Sequence, residues 1–84
     1  MSDNCMAERD IIFGRISDER ERQDVEWGGL EHDDQHIATD WCQYIDKQRR
    51  LARDADTPQE FMARMIKIAA LAVAAIESTQ RRST

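Results

Sequence analysis

Very little in this chain can pin it covalently or chop it into short pieces: its 84 residues include two cysteines, one proline and three glycines. Cys5 and Cys42 have no CxxC spacing and no secretory segment before them. That favours free thiols in a reducing cytoplasm over a disulfide-stapled secreted scaffold. The longest uninterrupted apolar run, Ile68 to Ile76, has nine residues, against the ~20 that a membrane-spanning helix needs. No membrane partner is expected. Also missing are a Ser-His-Asp order, a glycine-rich phosphate loop and a close pair of general acids.

Length sets the next limit. A domain this small buries only a little more than roughly 60% of the surface its unfolded chain exposes, so the monomer is expected to be marginal without partner subunits, metals or disulfides. The net charge is −5, but residues 1–40 carry four Arg against twelve Asp and Glu, a net of −8, while residues 41–84 carry eight Lys and Arg against five acids, a net of +3. The two halves should attract each other, and the acidic balance argues against non-specific nucleic-acid binding.

What is present reads as helix. Thr57-Pro58-Gln59-Glu60 offers a cap, a first-turn proline and a capping-box acid, which predicts a helix from Pro58 to Gln80. Its apolar residues begin as one stripe (Phe61, Met62, Met65, Ile66, Ala69) and then surround the helix through Ile68–Ile76. A helix apolar on all sides is buried on all sides, and two short neighbours cannot cover it. A second helix should start at Thr39 or Asp40 and end near Asp54 to Asp56, with Trp41, Tyr44, Ile45, Gln48 and Ala52 on one face. A first helix should run from about Ala7 to Glu26, weakened by Gly14 at roughly 1 kcal/mol relative to Ala. Ser17 to Asp24 is wholly polar, which suits a wet cleft or a subunit boundary better than a core. The expected fold is all-α: one domain over 1–84, about three helices, with 1–6 and 81–84 flexible, completed as a homo-oligomer.

Three features could carry chemistry. The segment His32-Asp33-Asp34-Gln35-His36 puts two imidazoles and two carboxylates within five residues, a set able to take a divalent metal such as zinc or manganese through His32, Asp33, Asp34 and His36. The plainer alternative is that the Asp residues cap local turns and a His fixes the loop. Arg20, Gln23, Asp24 and Trp27 share one helix face, where a guanidinium, an amide and an indole could hold a phosphate, a base edge and a base plane, or simply anchor the following loop. Lys47, Arg49, Arg50 and Arg53 form a basic run suited to phosphate or to the protein's own acids. The candidate ligand-binding set is therefore Arg20, Gln23, Trp27, Lys47, Arg49 and Arg50. No cofactor other than that divalent metal is expected.

The string Glu19-Arg20-Glu21-Arg22-Gln23-Asp24-Val25-Glu26-Trp27-Gly28-Gly29, followed by Glu31-His32-Asp33-Asp34-Gln35-His36, resembles small phage and prophage proteins related to the MazG-like nucleotide pyrophosphohydrolases. Asp40-Trp41, Tyr44-Ile45-Asp46-Lys47-Gln48 and Lys67-Ile68-Ala69-Ala70-Leu71-Ala72-Val73-Ala74-Ala75-Ile76-Glu77 extend the resemblance, which covers residues 16–80. It implies an all-α oligomer, in the host cytoplasm if phage-encoded. Enzymes of that family cleave nucleoside triphosphates to monophosphate and pyrophosphate with magnesium held by an EExxE motif. Here the corresponding stretch reads Asp46-Lys47-Gln48-Arg49-Arg50-Leu51, and Ala63, Arg64 and Lys67 replace the acids of the later helix. Magnesium, which favours carboxylate oxygens in octahedral geometry, has no evident seat. The resemblance thus implies a non-catalytic relative that binds a nucleotide-like anion or a host defence protein. The alternatives are a pyrophosphohydrolase whose metal sits in the His32–His36 loop and a purely structural or regulatory oligomer.

With magnesium and deoxynucleoside triphosphates, the purified protein is expected to release no pyrophosphate at enzyme-like turnover. Release that disappears when His32 and His36 are substituted would favour the atypical metal enzyme.

Overall fold

The computed structural model describes residues 2–27 and 36–83, with side chains over 7–27 and 36–82. Among the described residues it forms three helices and no strand: α1 (Ser2–Trp27), α2 (Ala38–Arg53) and α3 (Pro58–Ser83). The all-α bundle expected from the sequence is the fold. Helix α1 begins five residues before the expected start, and α3 continues three residues beyond Gln80.

Each boundary has a local cause. Asp40 does not cap α2 from in front of it; the helix starts at Ala38, and the Asp40 carboxylate accepts a hydrogen bond from the Ile37 N–H at 3.0 Å. Arg50 and Arg53 lie in the last turn of α2, where the helix dipole favours cations. The four residues that follow turn the chain back into α3. There Thr57 Oγ1 accepts from the Glu60 N–H at 3.1 Å, and the Glu60 carboxylate accepts from the Asp56 N–H at 3.3 Å. The expected capping signal operates, but the acid reaches one residue further back. Arg81 and Arg82 occupy the last turn of α3, and the Arg82 guanidinium donates to the His36 carbonyl.

Helices α2 and α3 form an antiparallel pair. Arg64 donates to Gln48 Oε1 at 3.2 Å near the connecting turn. Trp41 packs with Leu71 and Ala74 midway, and Trp27, Ile45 and Ala75 close around them. Of the face of α2 anticipated from helical spacing, Trp41 and Ala52 are buried and Ile45 and Gln48 half-buried, while Tyr44 stands exposed at its edge. On α3 the buried stripe is Ala70, Leu71, Ala74 and Ser78, each 2% exposed or less. Small side chains there let a neighbouring helix come close.

The rest of α3 departs from the all-round burial expected of it. Phe61, Met62, Met65, Val73 and Ile76 are exposed in the single chain, because two neighbours cover one side of a helix and leave the other. Helix α1 crosses α3 steeply: the adjacent residues Glu19 and Arg20 reach Lys67 and Glu77 respectively, positions about 15 Å apart along a helix.

The tight packing at Ala74 gives a direct test. Ala74→Leu should lower stability by about 1–3 kcal/mol through overpacking, whereas Ala63→Leu, at an exposed position, should change it by under about 0.5 kcal/mol. Urea unfolding of both variants with unchanged denaturant slopes reads the difference.

Candidate functional site

The polar stretch of α1 was expected to avoid deep burial, and the structure corrects this. Arg20 is 8% exposed and Gln23 2%, because the polar face turns onto α3 with its hydrogen bonds met partly by α1 itself and partly by α3. Arg20 Nη1 donates to Asp24 at 2.6 Å, one turn along α1, and Arg20 Nε donates to Glu77 on α3 at 3.0 Å. Both carboxylates keep contact with water, their side chains being 38% and 47% exposed.

Glu19 is a second node. Its Oε2 accepts from Arg22 at 2.6 Å, from Gln23 at 3.3 Å and from Lys67 at 3.4 Å. The Arg22 hydrogen bond holds the Glu19 carboxyl below its ordinary value, and Lys67 acts in the same sense, against the opposing effect of burial. Arg22 also bonds Glu26. The Gln23 amide oxygen, though buried, has no hydrogen-bond partner among the described residues. Beside Glu19 lies an open groove of about 520 Å³, walled by Arg15, Asp18, Arg22, Ala63, Ile66 and Lys67. Both signs of charge line it.

A third cluster is aromatic. His36 is buried, with its ring centroid 5.1 Å from Trp41 and 5.3 Å from Tyr44, and its Nε2 lies 2.9 Å from the Tyr44 hydroxyl. Tyr44 and Trp27 are 6.2 Å apart between centroids. Trp27, Tyr44, Lys47, Gln48 and Leu71 enclose a hollow of about 240 Å³. Lys47 and Gln48 supply its polar edge: Lys47 is exposed, and the Gln48 side chain, whose amide oxygen accepts from Arg64, keeps its N–H₂ as a donor.

The six candidate ligand-binding residues are thus divided. Trp27 and Lys47 come together at this hollow, and Arg20 and Gln23 lie in the α1–α3 joint. Arg49 and Arg50 turn to Asp46 on their own helix, at 2.9 and 3.6 Å. Arg49, hydrogen-bonded to the Asp46 carboxyl, keeps it below its usual range. The attraction between chain halves is realised at Lys67–Glu19, while Arg20–Glu77 runs in the opposite sense, a cation of the acidic half meeting an acid of the basic half.

Of the proposed metal ligands, His32, Asp33 and Asp34 lie outside the described residues, and His36 is in the aromatic cluster. Among the described residues no group of three or more His, Cys, Asp or Glu is placed to hold a metal. Sequence reasoning singled out neither Glu19 nor Lys67 nor Glu77 as a partner, and placed Tyr44 and Gln48 on a packing face and in the family resemblance but not among the ligand-binding residues. Spacing within one helix reveals an i, i+4 pair such as Arg20–Asp24 but not a contact 57 positions away. No protein-family model, curated protein or solved structure matches the chain.

The lowered Glu19 value fixes a pH dependence. A carboxyl whose folded pKa lies below its unfolded one adds stability above the ordinary value of 4.5, and this is lost as pH falls through the folded value. Glu19→Gln should therefore be the less stable protein at neutral pH, and the gap should narrow as pH falls below 4.5. Urea midpoints across that range check it.

Proposed function

We propose that this chain is a non-catalytic helical oligomer of the phage or prophage type, related to the MazG-like proteins, that holds a nucleotide-like anion. The observation that carries the reading is the hollow at Trp27, Tyr44, Lys47, Gln48 and Leu71, where two aromatic rings and an aliphatic wall adjoin an ammonium and an amide donor.

Such a lining has a definite complement. Two rings and Leu71 favour a flat, weakly hydrated group, since base-on-ring stacking tolerates any base and contributes roughly 1–3 kcal/mol. Lys47 and the Gln48 N–H₂ favour acceptors and negative charge. A nucleobase bearing a phosphate meets both demands. At about 240 Å³ the hollow falls just under the ~300–1,000 Å³ of typical small-molecule sites, which favours a mononucleotide over a larger ligand. Lys47 and Gln48 occupy the stretch where the related enzymes carry acids. A site that holds phosphate by an ammonium, with no magnesium between, suits retention of the ligand better than its hydrolysis. Sequestering a nucleotide signal is one way in which a small phage protein could blunt a host defence.

Nucleoside monophosphates should raise the melting temperature of the wild type as ln(1 + [L]/Kd) grows, and added salt should weaken the effect. Lys47→Met should abolish most of the response, and Arg49→Ala should retain it. A flat response across mono-, di- and cyclic nucleotides would leave a protein partner as the function to seek.

A further inference from the structure

The amide of Gln48 is tied at one end. Arg64 Nη1 on α3 lies 3.2 Å from Gln48 Oε1, and because a guanidinium has only donors to give, the amide atom that faces it must be the oxygen. The N–H₂ is left on the other side of the amide, with no acceptor among the described residues. An unrestrained glutamine can turn its amide over and offer either end to a ligand. Turning this one would set its N–H₂ against the guanidinium, donor against donor, so Arg64 fixes which end Gln48 offers.

We infer that Arg64 is a positioning residue for the hollow at Trp27, Tyr44, Lys47, Gln48 and Leu71, and that through Gln48 it selects nucleotides with a keto base over those with an amino base. That selection presupposes the nucleotide binding proposed above and names the bases it takes. Guanine, hypoxanthine and uracil carry a carbonyl oxygen at the position where adenine and cytosine carry an amine.

The rest of the lining agrees with a one-way edge. Two of its side chains can accept a hydrogen bond, and both acceptors are engaged: Gln48 Oε1 by Arg64, and the Tyr44 hydroxyl by His36 Nε2 at 2.9 Å. Trp27 and Lys47 can only donate. Lys47 meets no carboxylate among the described residues, unlike Arg49 and Arg50, which are paired with Asp46, so its ammonium is left for the phosphate. The rings of Trp27 and Tyr44 already pack on each other, with centroids 6.2 Å apart and planes tilted by 34°, inside the usual ~4.5–7 Å of an aromatic pair. A base therefore lies over these rings and not between them, and stacking of that kind accepts any base. Discrimination falls to the edge. A carbonyl there accepts from the Gln48 N–H₂, whereas an amine would meet it donor to donor and leave both unpaired, a mismatch that a site built around a hydrogen bond rejects sharply.

Calorimetric titration with four nucleoside monophosphates tests this in two pairs, inosine against adenosine and uridine against cytidine. Each pair exchanges the amine for a carbonyl while ring size and phosphate stay the same. The wild type should bind the keto member of each pair roughly tenfold more tightly. Arg64→Leu should bring both ratios close to one, because the amide is then free to turn, and Gln48→Glu, whose carboxylate accepts and cannot donate, should reverse them. A general loss of affinity or stability cancels within a pair, so a merely structural role for either residue would leave the ratios unmoved. Saturable binding with wild-type ratios near one, or ratios indifferent to both substitutions, would overturn this inference and leave the nucleotide site standing. Failure of all four to bind would overturn the site itself, and the selection with it.

Discussion

Arg20 is a guanidinium taken almost wholly out of water, and a charge so placed must meet opposite charge where it lies. Asp24 and Glu77 meet it, one from the same helix and one from α3. That requirement fixes how α1 sits. The helix must cross α3 where Arg20 reaches Glu77 while Glu19, turned to the other side, reaches Lys67. Because the two carboxylates of the Arg20 node remain partly in water, the network avoids much of the desolvation that makes a fully buried ion pair costly. A polar joint of this kind favours one register, since sliding α1 by one turn would keep Asp24 beside Arg20 but part the guanidinium from Glu77.

The consequence for function lies two turns along. With Arg20 anchored, Trp27 at the end of α1 is carried to the α2–α3 pair, where it joins the Trp41–Leu71–Ala74 core and stands beside Tyr44. Buried His36 braces Tyr44 through its hydroxyl. The hollow is therefore built from three helices, each held by a different kind of contact: ions for α1, aromatic packing for α2 and a stripe of small residues for α3. On the proposed reading, this recess is where the ligand is held.

Much of the fold was legible in the sequence because helical signals are local. Thr57-Pro58 with Glu60 marks a helix start wherever it occurs, and the spacing of Trp41, Ile45, Gln48 and Ala52 identifies one face of α2 without knowledge of what covers it. The uniformly polar run of α1 misled for an equally physical reason. Polarity reports the cost of burial, not whether a partner cancels it, and Glu77 lies 57 residues from Arg20. The candidate site was half legible. Trp27 and Lys47 were singled out and do come together, while of the two partners open to Arg49 and Arg50, phosphate or the protein's own acids, the one they meet is an acid, Asp46, three and four residues away. Tyr44 and Gln48 carried no chemical signal of their own, because their value depends on lying next to Trp27 across a helix boundary.

The most direct measurement follows the recess itself. The chain has two tryptophans, so the indole N–H signals of its NMR spectrum are few, and a titration with a nucleoside monophosphate can follow Trp27 together with the Gln48 side-chain N–H₂. The proposed function predicts saturable shifts at Trp27, Gln48 and Lys47 with a common affinity, while Arg49 and Arg50 move little. Resonances of Trp27 and Gln48 that stay still at saturating nucleotide, or shifts confined to Arg49 and Arg50, would contradict it.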